Sequence, residues 1–310
     1  MHKRVLIASS SLLALPAFES LKKKPGIDVV GLLSTPDRPK GRHGTPSPNE
    51  LVENLADRQV QIWKPKDATD LMGVLESVRP DLVVVIAYGR LIKNAALEKV
   101  PLGWINLHFS LLPQYRGAAP VQRAILNGDD QFGVTVFRID EGMDTGPVLV
   151  RERVEVESQW NASEILSHLA HVGVDAVDRG IDSLLAGDQG IPQSGPSSLA
   201  PKIDKKELRL DLRGGDEQVM RQIRAFTHTP GLWFTYRGRR HILTEAKRGA
   251  VQIDQGHLAN IGGRAFIGTG GLSVEVVSVI PEGRREVSGG DWVRGLHFAD
   301  GEVSNDGVDL

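Results

Sequence analysis

Two residues near the middle of the chain, Asn106 and His108, have side chains suited to acyl transfer. They lie in a short alternating segment, Trp104 to Phe109, which predicts a strand that runs into a loop. Side chains on a strand repeat every second residue, so both would share one face, with Cα atoms ~6.6 Å apart. A carboxamide donor and a proton-handling imidazole could then converge on one small atom. An isolated Asn-x-His could equally be the solvent face of an edge strand.

The residues that follow this strand favour the catalytic interpretation. Ser110-Leu-Leu-Pro113 is apolar where a surface loop should be polar. Arg116-Gly-Ala-Ala-Pro120 then leads into an apolar-periodic segment, which ends at Asn127-Gly128. A strand, an apolar turn and the start of a helix within so few residues are typical of the wall of a site.

These motifs together resemble the folate-dependent formyltransferases, and most closely those that act on methionyl-tRNA. The resemblance is carried by Asn106-x-His108, Ser110-Leu-Leu-Pro113 and Arg116-Gly-Ala-Ala-Pro120, and it runs through most of the 310 residues. In that family the third catalytic residue is an Asp in a Gly-rich turn, and Asp144 in the segment Asp140 to Gly146 matches it. Taken without the resemblance, Asp144 would be an ordinary turn residue.

The resemblance implies transfer of a formyl group from 10-formyltetrahydrofolate to the α-amino group of methionine on initiator tRNA, for translation initiation. It implies that Asn106, His108 and Asp144 are catalytic, and that no metal is needed. It also implies a pteridine pocket lined by Tyr88, Gly89, Ser110, Leu111, Leu112 and Pro113. Two alternatives stay open: a formyltransferase that acts on an amino-sugar nucleotide or on glycinamide ribonucleotide, and a non-catalytic protein that binds the end of a tRNA.

The elements around these residues alternate, which predicts an α/β fold. Apolar strand-like runs are separated by amphipathic helical patterns, and this arrangement indicates a parallel sheet covered on both faces. The runs are Val5 to Ala8, Asp28 to Leu33, Val60 to Trp63, Leu82 to Ala87 and Ile105 to Phe109. Because neither G-x-G-x-x-G nor a P-loop is present, the sheet is Rossmann-like in build and not in ligand, as in the formyltransferase fold. Ligand sites of such sheets lie beyond the carboxyl ends of the strands.

Further along the chain, alternation and turn residues predict a hairpin, a long helix and a second domain. The hairpin joins Val134–Asp140 to Val148–Val150 and places Asp144 near its tip. Asn161-Ala-Ser-Glu164 is a capping box that opens a helix to about Leu185. A stretch rich in Gly, Pro and Ser then divides the chain into a formyltransferase catalytic domain (1–187), a linker (188–203) and a C-terminal domain (204–310).

Short strands and turn signals predict a small β-barrel in the C-terminal domain, and the resemblance implies that this barrel is OB-like and binds tRNA. The acidic, Gly-rich tail from about Ala299 is expected to be frayed. Charge is unevenly distributed: residues 204–248 carry 11 Lys+Arg against 6 Asp+Glu, a balance of +5, and residues 249–310 carry 4 against 9, a balance of −5. The basic part could bind a phosphate backbone, or it could be a solvated barrel face.

A second basic feature is the loop of residues 35–48, in which four prolines favour an extended, exposed arm. In the resembling family the corresponding loop engages the acceptor end of the tRNA. The predicted tRNA-binding residues are Arg38, Lys40, Arg42, Lys205 and Lys206.

Composition excludes several other classes of protein. The chain has no cysteine, so disulfides, thiolate metal sites and cysteine nucleophiles are excluded. Its longest apolar run, Leu82 to Tyr88, is too short to cross a bilayer. Net charge is only −2, so any RNA binding must come from local charge. We expect a cytoplasmic monomer that has no membrane partner.

Overall fold

The computed structural model describes residues 2–39, 44–227 and 231–308. The chain divides into two compact units. The first unit contains Met1–Pro120, Gln131–Glu155 and Leu166–Pro201, and the second contains Val121–Asp130, Val156–Ile165 and Lys202–Leu310.

The first unit is built around one seven-stranded sheet. In chain order, the strands before Lys202 are β1 (Lys3–Ala8), β2 (Ile27–Leu33), β3 (Arg38–Pro39), β4 (Pro46–Ser47), β5 (Ile62–Trp63), β6 (Leu82–Val85), β7 (Trp104–His108), β8 (Arg116–Gly117), β9 (Phe132–Arg138), β10 (Val148–Val154) and β11 (Leu199–Ala200). The helices before Lys202 are α1 (Leu15–Leu21), α2 (Glu50–Leu55), α3 (Ala68–Val78), α4 (Asn94–Glu98), α5 (Pro120–Asn127) and α6 (Ala162–Leu185). Helix α5 from Val121 on and α6 up to Ile165 belong to the second unit.

The strand order in this sheet is β10-β9-β7-β6-β1-β2-β5. The five strands from β7 to β5 are parallel, whereas β9 and β10 continue the sheet as an antiparallel hairpin. The predicted Rossmann-like sheet is therefore confirmed, with the predicted hairpin at one edge. Residues 5–8 of β1 and all of β6 are buried. This burial explains why their sequences are continuously apolar and do not alternate.

Helices on the two faces of the sheet hold β7 in place. Leu75 of α3 belongs to the same buried cluster as Trp104 of β7. On the opposite face, α6 approaches so closely that a Cβ added at Gly173 would lie 2.6 Å from Leu107 Cδ2. The capping box at the start of α6 is also confirmed, because Asn161 Oδ1 accepts from Glu164 N at 3.1 Å and Glu164 Oε2 accepts from Asn161 N at 2.7 Å.

The second unit contains an antiparallel sheet, as the barrel prediction requires. Its elements are two 3₁₀ helices (Lys205–Leu208 and Leu212–Gly214), α7 (Gly215–Phe226), β12 (Leu232–Tyr236), β13 (Arg239–Gly249), β14 (His257–Ile261), β15 (Arg264–Gly268), β16 (Ser273–Pro281), β17 (Val287–Ser288), α8 (Gly289–Gly295) and β18 (Val303–Gly307). The strand order is β12-β13-β16-β15-β14-β18, with β17 paired to β16. An antiparallel bridge joins Tyr236 of β12 to Val308, the residue that follows β18. The first and last strands of the sheet are thereby linked, as closure into a barrel requires.

The expectation of a frayed tail was wrong for the described residues. Strand β18 pairs with β14, and Val308 N donates to Gly256 O at 2.7 Å. These are backbone hydrogen bonds, and they order the tail despite its acidic and Gly-rich composition.

Candidate functional site

Strand β7 positions Asn106 and His108 at its carboxyl end. Asn106 is opposite Val85 of β6 and Phe137 of β9, so β7 is an interior strand and the edge-strand alternative is wrong. The Asn106 side chain is partly exposed, and within the described ranges no hydrogen bond occupies its carboxamide. Its amide hydrogens are therefore free to donate to a bound molecule.

The His108 ring is only 5% exposed, and its tautomer is set by one backbone group. Its Nε2 lies 2.9 Å from Tyr115 O. Because a carbonyl oxygen only accepts, Nε2 carries the proton in the neutral ring, and Nδ1 holds a lone pair. Burial lowers the pKa of His108, and the Asp144 carboxylate and the Tyr115 carbonyl offset this effect only in part. The ring is thus a neutral base near pH 7.

Asp144 lies in the loop between β9 and β10, and its backbone has a φ of 54°. Its Oδ2 is 3.7 Å from His108 Nδ1, and it accepts a hydrogen bond from Gly117 N at 2.7 Å. The Asp144 side chain is 17% exposed. The structure therefore brings the two predicted residues together, with two proton acceptors, Nδ1 and Oδ2, facing the same small volume.

The predicted folate loop, residues 110–113, is held by side chains of the neighbouring hairpin. Thr135 Oγ1 donates to Ser110 O at 2.7 Å and accepts from Leu112 N at 3.1 Å. Arg151 Nη1 donates to Leu112 O at 2.8 Å. Leu112 is fully buried, and the peptide bond between Leu112 and Pro113 is cis. The hydrogen bonds from Thr135 and Arg151 hold this loop as a fixed wall beside the end of β7.

The predicted folate residues line two different cavities. Tyr88, which is 3% exposed, lines a cavity of about 230 Å³ together with Arg90 and Leu91. Burial raises the pKa of the Tyr88 hydroxyl, and Arg90 lowers it in part. Leu111 and Pro113 line a separate cavity of about 400 Å³. Gly89, Ser110 and Leu112 are not among the lining residues of either cavity.

Gln193 lies in the segment predicted to be a linker and was not predicted to be a site residue. Gln193 Nε2 donates to Asp144 O and to Gly146 O, both at 2.9 Å. Gln193 Oε1 accepts from Arg116 Nη2 at 2.6 Å and from Arg116 Nε at 3.2 Å. One side chain therefore ties the Asp144 turn to β8. Nothing in the local sequence distinguishes this glutamine from others in a Gly- and Pro-rich stretch.

Gly117 is a second residue whose role at the site was missed. It donates its N–H to Asp144, and its strand β8 pairs in parallel with β11. Its φ is +123°, and an added Cβ would lie 2.7 Å from Ala200 O. Only glycine fits this conformation and this approach. The glycine in Arg116-Gly-Ala-Ala-Pro120 was the available signal.

The predicted tRNA-binding residues fall in separate places. Arg38 is exposed in β3, which forms a two-stranded ladder with β4. Lys205 and Lys206 are exposed in the first 3₁₀ helix of the second unit, which Asp204 and Glu207 cap. Lys40 and Arg42 lie outside the described residues.

The described part of the chain contains neither a candidate metal site nor a candidate membrane span. Among residues 2–39, 44–227 and 231–308, no group of three or more His, Asp or Glu side chains is placed to hold a metal ion. Within the same ranges, no helix combines the length and apolar character needed to cross a membrane.

Relatives with known names match nearly the whole chain. Methionyl-tRNA formyltransferase of Renibacterium salmoninarum is 36% identical over 304 residues, which cover 97% of this chain and 99% of that protein. The protein of the same name from Parafrankia sp. is 38% identical over 306 residues, covering 94% of this chain and 97% of that protein.

Solved structures show the same fold at low sequence identity. HypX from Aquifex aeolicus, in complex with tetrahydrofolic acid, aligns with a TM-score of 0.67 at 19% identity, over 94% of this chain and 47% of HypX. This chain thus spans about half the length of HypX. An N-formyltransferase from Helicobacter canadensis, in complex with folinic acid and dTDP-3-aminofucose, aligns with a TM-score of 0.64 at 18% identity, over 89% and 99% of the two chains.

Two family models account for most of the sequence. The model described as formyl transferase matches residues 3–179, and the model described as the C-terminal domain of formyl transferase matches residues 202–297. The first match alone covers more than half of the chain, and it contains Asn106, His108 and Asp144. The chain therefore belongs to the formyl transferase family.

Proposed function

We propose that the protein transfers a formyl group from 10-formyltetrahydrofolate to the α-amino group of methionine on initiator tRNA, for translation initiation. The observation that carries the proposal is the site at the end of β7, where His108 Nδ1 lies 3.7 Å from Asp144 Oδ2 and Asn106 has an unoccupied carboxamide. Identity of 36% over 304 residues to a methionyl-tRNA formyltransferase supports tRNA as the acceptor.

Asn106 stabilises the charge that develops during transfer. As the amine nitrogen bonds to the formyl carbon, the carbonyl electron pair moves onto the formyl oxygen, and the Asn106 amide donates to this oxyanion. A preorganised donor of this kind typically contributes ~3 kcal/mol to lowering the barrier. No other described group competes for the Asn106 amide, so donating to the substrate breaks no protein hydrogen bond.

His108 and Asp144 handle the proton that the amine loses. The neutral His108 ring presents the lone pair of Nδ1, and Asp144 Oδ2 presents a second acceptor 3.7 Å away. Asp144 takes up the amine proton through a water and passes it to His108 Nδ1, which restores the Asp144 carboxylate. Once Nδ1 is protonated, it donates to the oxyanion as the second stabilising group, while the Asp144 carboxylate stabilises the imidazolium. The bond from the formyl carbon to folate N10 then breaks as the carbonyl re-forms, and the His108 imidazolium gives its proton to N10, which returns the ring to its neutral form.

The folate cosubstrate lies against the loop of residues 110–113 and the residues that follow β6. Backbone groups of Ser110, Leu111, Leu112 and Pro113 form one wall of the pteridine pocket, and Tyr88 and Gly89 complete it, whereas the side chains of Tyr88 and of Leu111 and Pro113 line the two separate cavities described above. Hydrogen bonds from Thr135 and Arg151 fix the first wall, which supports a preformed site. The reaction uses no metal.

The tRNA is bound by basic residues outside the reacting centre. Arg38, Lys40 and Arg42 of the loop 35–48 contact the acceptor end, and Lys205 and Lys206 contact the backbone. Residues 1–187 form the catalytic domain, 188–203 the linker and 204–310 the OB-like tRNA-binding domain. The protein acts as a monomer in the cytoplasm.

This function is tested by comparing which of three acceptors the protein formylates. The protein is incubated with labelled 10-formyltetrahydrofolate and, separately, methionyl initiator tRNA, an amino-sugar nucleotide and glycinamide ribonucleotide. We expect label only on the tRNA. Label on either small acceptor and none on the tRNA would overturn the proposal in favour of a small-molecule enzyme. Binding of tRNA without transfer to any acceptor would leave only a tRNA-end binding protein.

A further inference from the structure

The cavity of about 400 Å³ behind the folate loop carries two arginines with no acidic partner. Its wall is formed by Arg151 and Arg153 of β10, by Leu111 and Pro113 of the loop, and by Gln131 and Ser194. We call it the arginine cavity. All of these residues belong to the first unit.

Each guanidinium in the arginine cavity makes one hydrogen bond to a neutral oxygen. Arg151 Nη1 donates to Leu112 O at 2.8 Å, and Arg153 Nη2 donates to Gln131 Oε1 at 2.8 Å. Across residues 2–39, 44–227 and 231–308, neither arginine forms an ion pair. A guanidinium has five N–H donors, so most of the donors on each side chain are unused.

Glu152, the acidic residue between the two arginines, faces away from the cavity. Side chains alternate along a strand, so Glu152 faces opposite to Arg151 and Arg153, and there it pairs with Arg179. Arg179 also forms an ion pair with Asp175, with 2.7 Å between Arg179 Nε and Asp175 Oδ2. The face of β10 at the cavity therefore carries two arginines whose Cα atoms are ~6.6 Å apart along the strand, whereas the carboxylates named here are paired on the other face.

We propose that the arginine cavity binds a backbone phosphate of the tRNA substrate. This inference rests on the proposed function. Arginine forks match phosphate oxygens in bidentate geometry, and the polar side chains of Gln131 and Ser194 can complete the shell. Both arginines are exposed residues, as expected of a surface that a macromolecule covers. The loop that lines the cavity continues to Tyr115, whose carbonyl accepts a hydrogen bond from His108. An RNA phosphate bound in the cavity would therefore contact the same loop that positions His108.

Salt dependence of tRNA binding tests the proposal. The dissociation constant for methionyl initiator tRNA is measured at several salt concentrations for the wild type, Arg153→Gln, the double variant Arg151→Gln/Arg153→Gln, and the control Arg179→Gln. Arg153→Gln is the key single variant, because Arg151 also supports the folate loop. Arg179→Gln removes the same charge from α6, where Arg179 pairs with Glu152 on the opposite face of β10.

A phosphate contact contributes ~0.7–0.9 to the slope of log K against log salt, so between 50 and 200 mM salt the double variant, which loses this one phosphate, should lose roughly 3-fold less affinity than the wild type. Arg153→Gln should show about half of that slope change. Arg179→Gln should keep the wild-type slope. Thermal unfolding of each variant verifies that it is folded.

Several outcomes would overturn the proposal that the arginine cavity binds a tRNA phosphate. One is an unchanged slope in both arginine variants, and another is an equal change in Arg179→Gln, which would indicate only a general loss of charge. A third is weaker binding of 10-formyltetrahydrofolate with tRNA binding intact, which would assign the cavity to the folate carboxylates. Formylation of methionyl-tRNA by the wild type is measured on the same preparations. Its absence refutes the proposed function, whereas its presence with unchanged slopes refutes only the phosphate site.

Discussion

Replacing Gln193 by alanine should reduce catalysis, because this side chain holds the backbone of the catalytic Asp144. Its amide group bridges Asp144 O and Gly146 O on one side to the Arg116 guanidinium on the other. Alanine leaves two carbonyl oxygens without a donor and releases the Asp144 turn from β8. The carboxylate of Asp144 is then less firmly held opposite His108.

The magnitude follows from the hydrogen bonds that are lost. Two bonds to neutral carbonyls contribute ~1 kcal/mol each, and a bond to a charged group contributes ~1.5–3 kcal/mol. Gln193 is half-buried, so water can replace part of the lost hydrogen bonding. We therefore expect a loss of roughly 1–3 kcal/mol in the free energy of unfolding. Displacing a catalytic group by 1 Å can lower the rate ~10²-fold, so kcat should fall by roughly 10- to 100-fold.

Gln189 provides a matched control in the same segment. Its Oε1 accepts from Arg138 Nη1 at 2.6 Å and its Nε2 donates to Gly187 O at 3.1 Å, and it does not contact the Asp144 turn. Steady-state formylation and urea unfolding are measured for Gln193→Ala and Gln189→Ala. Both variants should lose stability, and only Gln193→Ala should lose kcat. Equal kcat values in the two variants would refute the positioning role, and a change confined to KM would assign Gln193 to binding.

Three further predictions concern the same site. Asn106→Ala should lower kcat by roughly 10²–10³ in steady-state formylation, because one oxyanion donor is lost; an unchanged kcat would exclude Asn106 from the chemistry. In the wild type, loss of activity on acidification should occur below pH 6.5, since burial lowers the pKa of His108. Asp144→Asn removes the carboxylate that raises the pKa of His108, so the pH at which the residual kcat falls on acidification should be lower still. A shift to higher pH would contradict the assignment of this pKa to His108. Gly117→Ala forces a side chain to a φ of +123° and to 2.7 Å from Ala200 O, so urea unfolding should show a loss of ~1–3 kcal/mol; retained stability would refute this steric argument.

The sheet could be predicted from sequence because its pattern is set by local burial. Buried parallel strands must be apolar at every position, as in β1 and β6, and strand alternation placed Asn106 and His108 on one face of β7. The hairpin of β9 and β10 followed from alternation around a Gly-rich turn. The frayed tail was a wrong prediction because β18 is held by backbone bonds to β14, which composition does not encode.

The details of the site depend on contacts that no local pattern contains. Gln193 reaches Asp144 across 49 residues, through a path fixed by the pairing of β11 with β8. The tautomer of His108 depends on the carbonyl of Tyr115, and every residue has such a carbonyl. The pairing of Asp144 with His108 was predicted by resemblance alone, because Asp in a Gly-rich turn is common.

A single-turnover experiment tests the claim that the β7 site performs the formyl transfer. The rate of transfer from 10-formyltetrahydrofolate to methionyl initiator tRNA is measured for the wild type and for His108→Ala with both substrates saturating, together with the dissociation constant for the tRNA. Removing the proton-handling group should slow the transfer by roughly 10²–10⁴ and leave the tRNA dissociation constant unchanged. A transfer rate equal to that of the wild type would contradict the account.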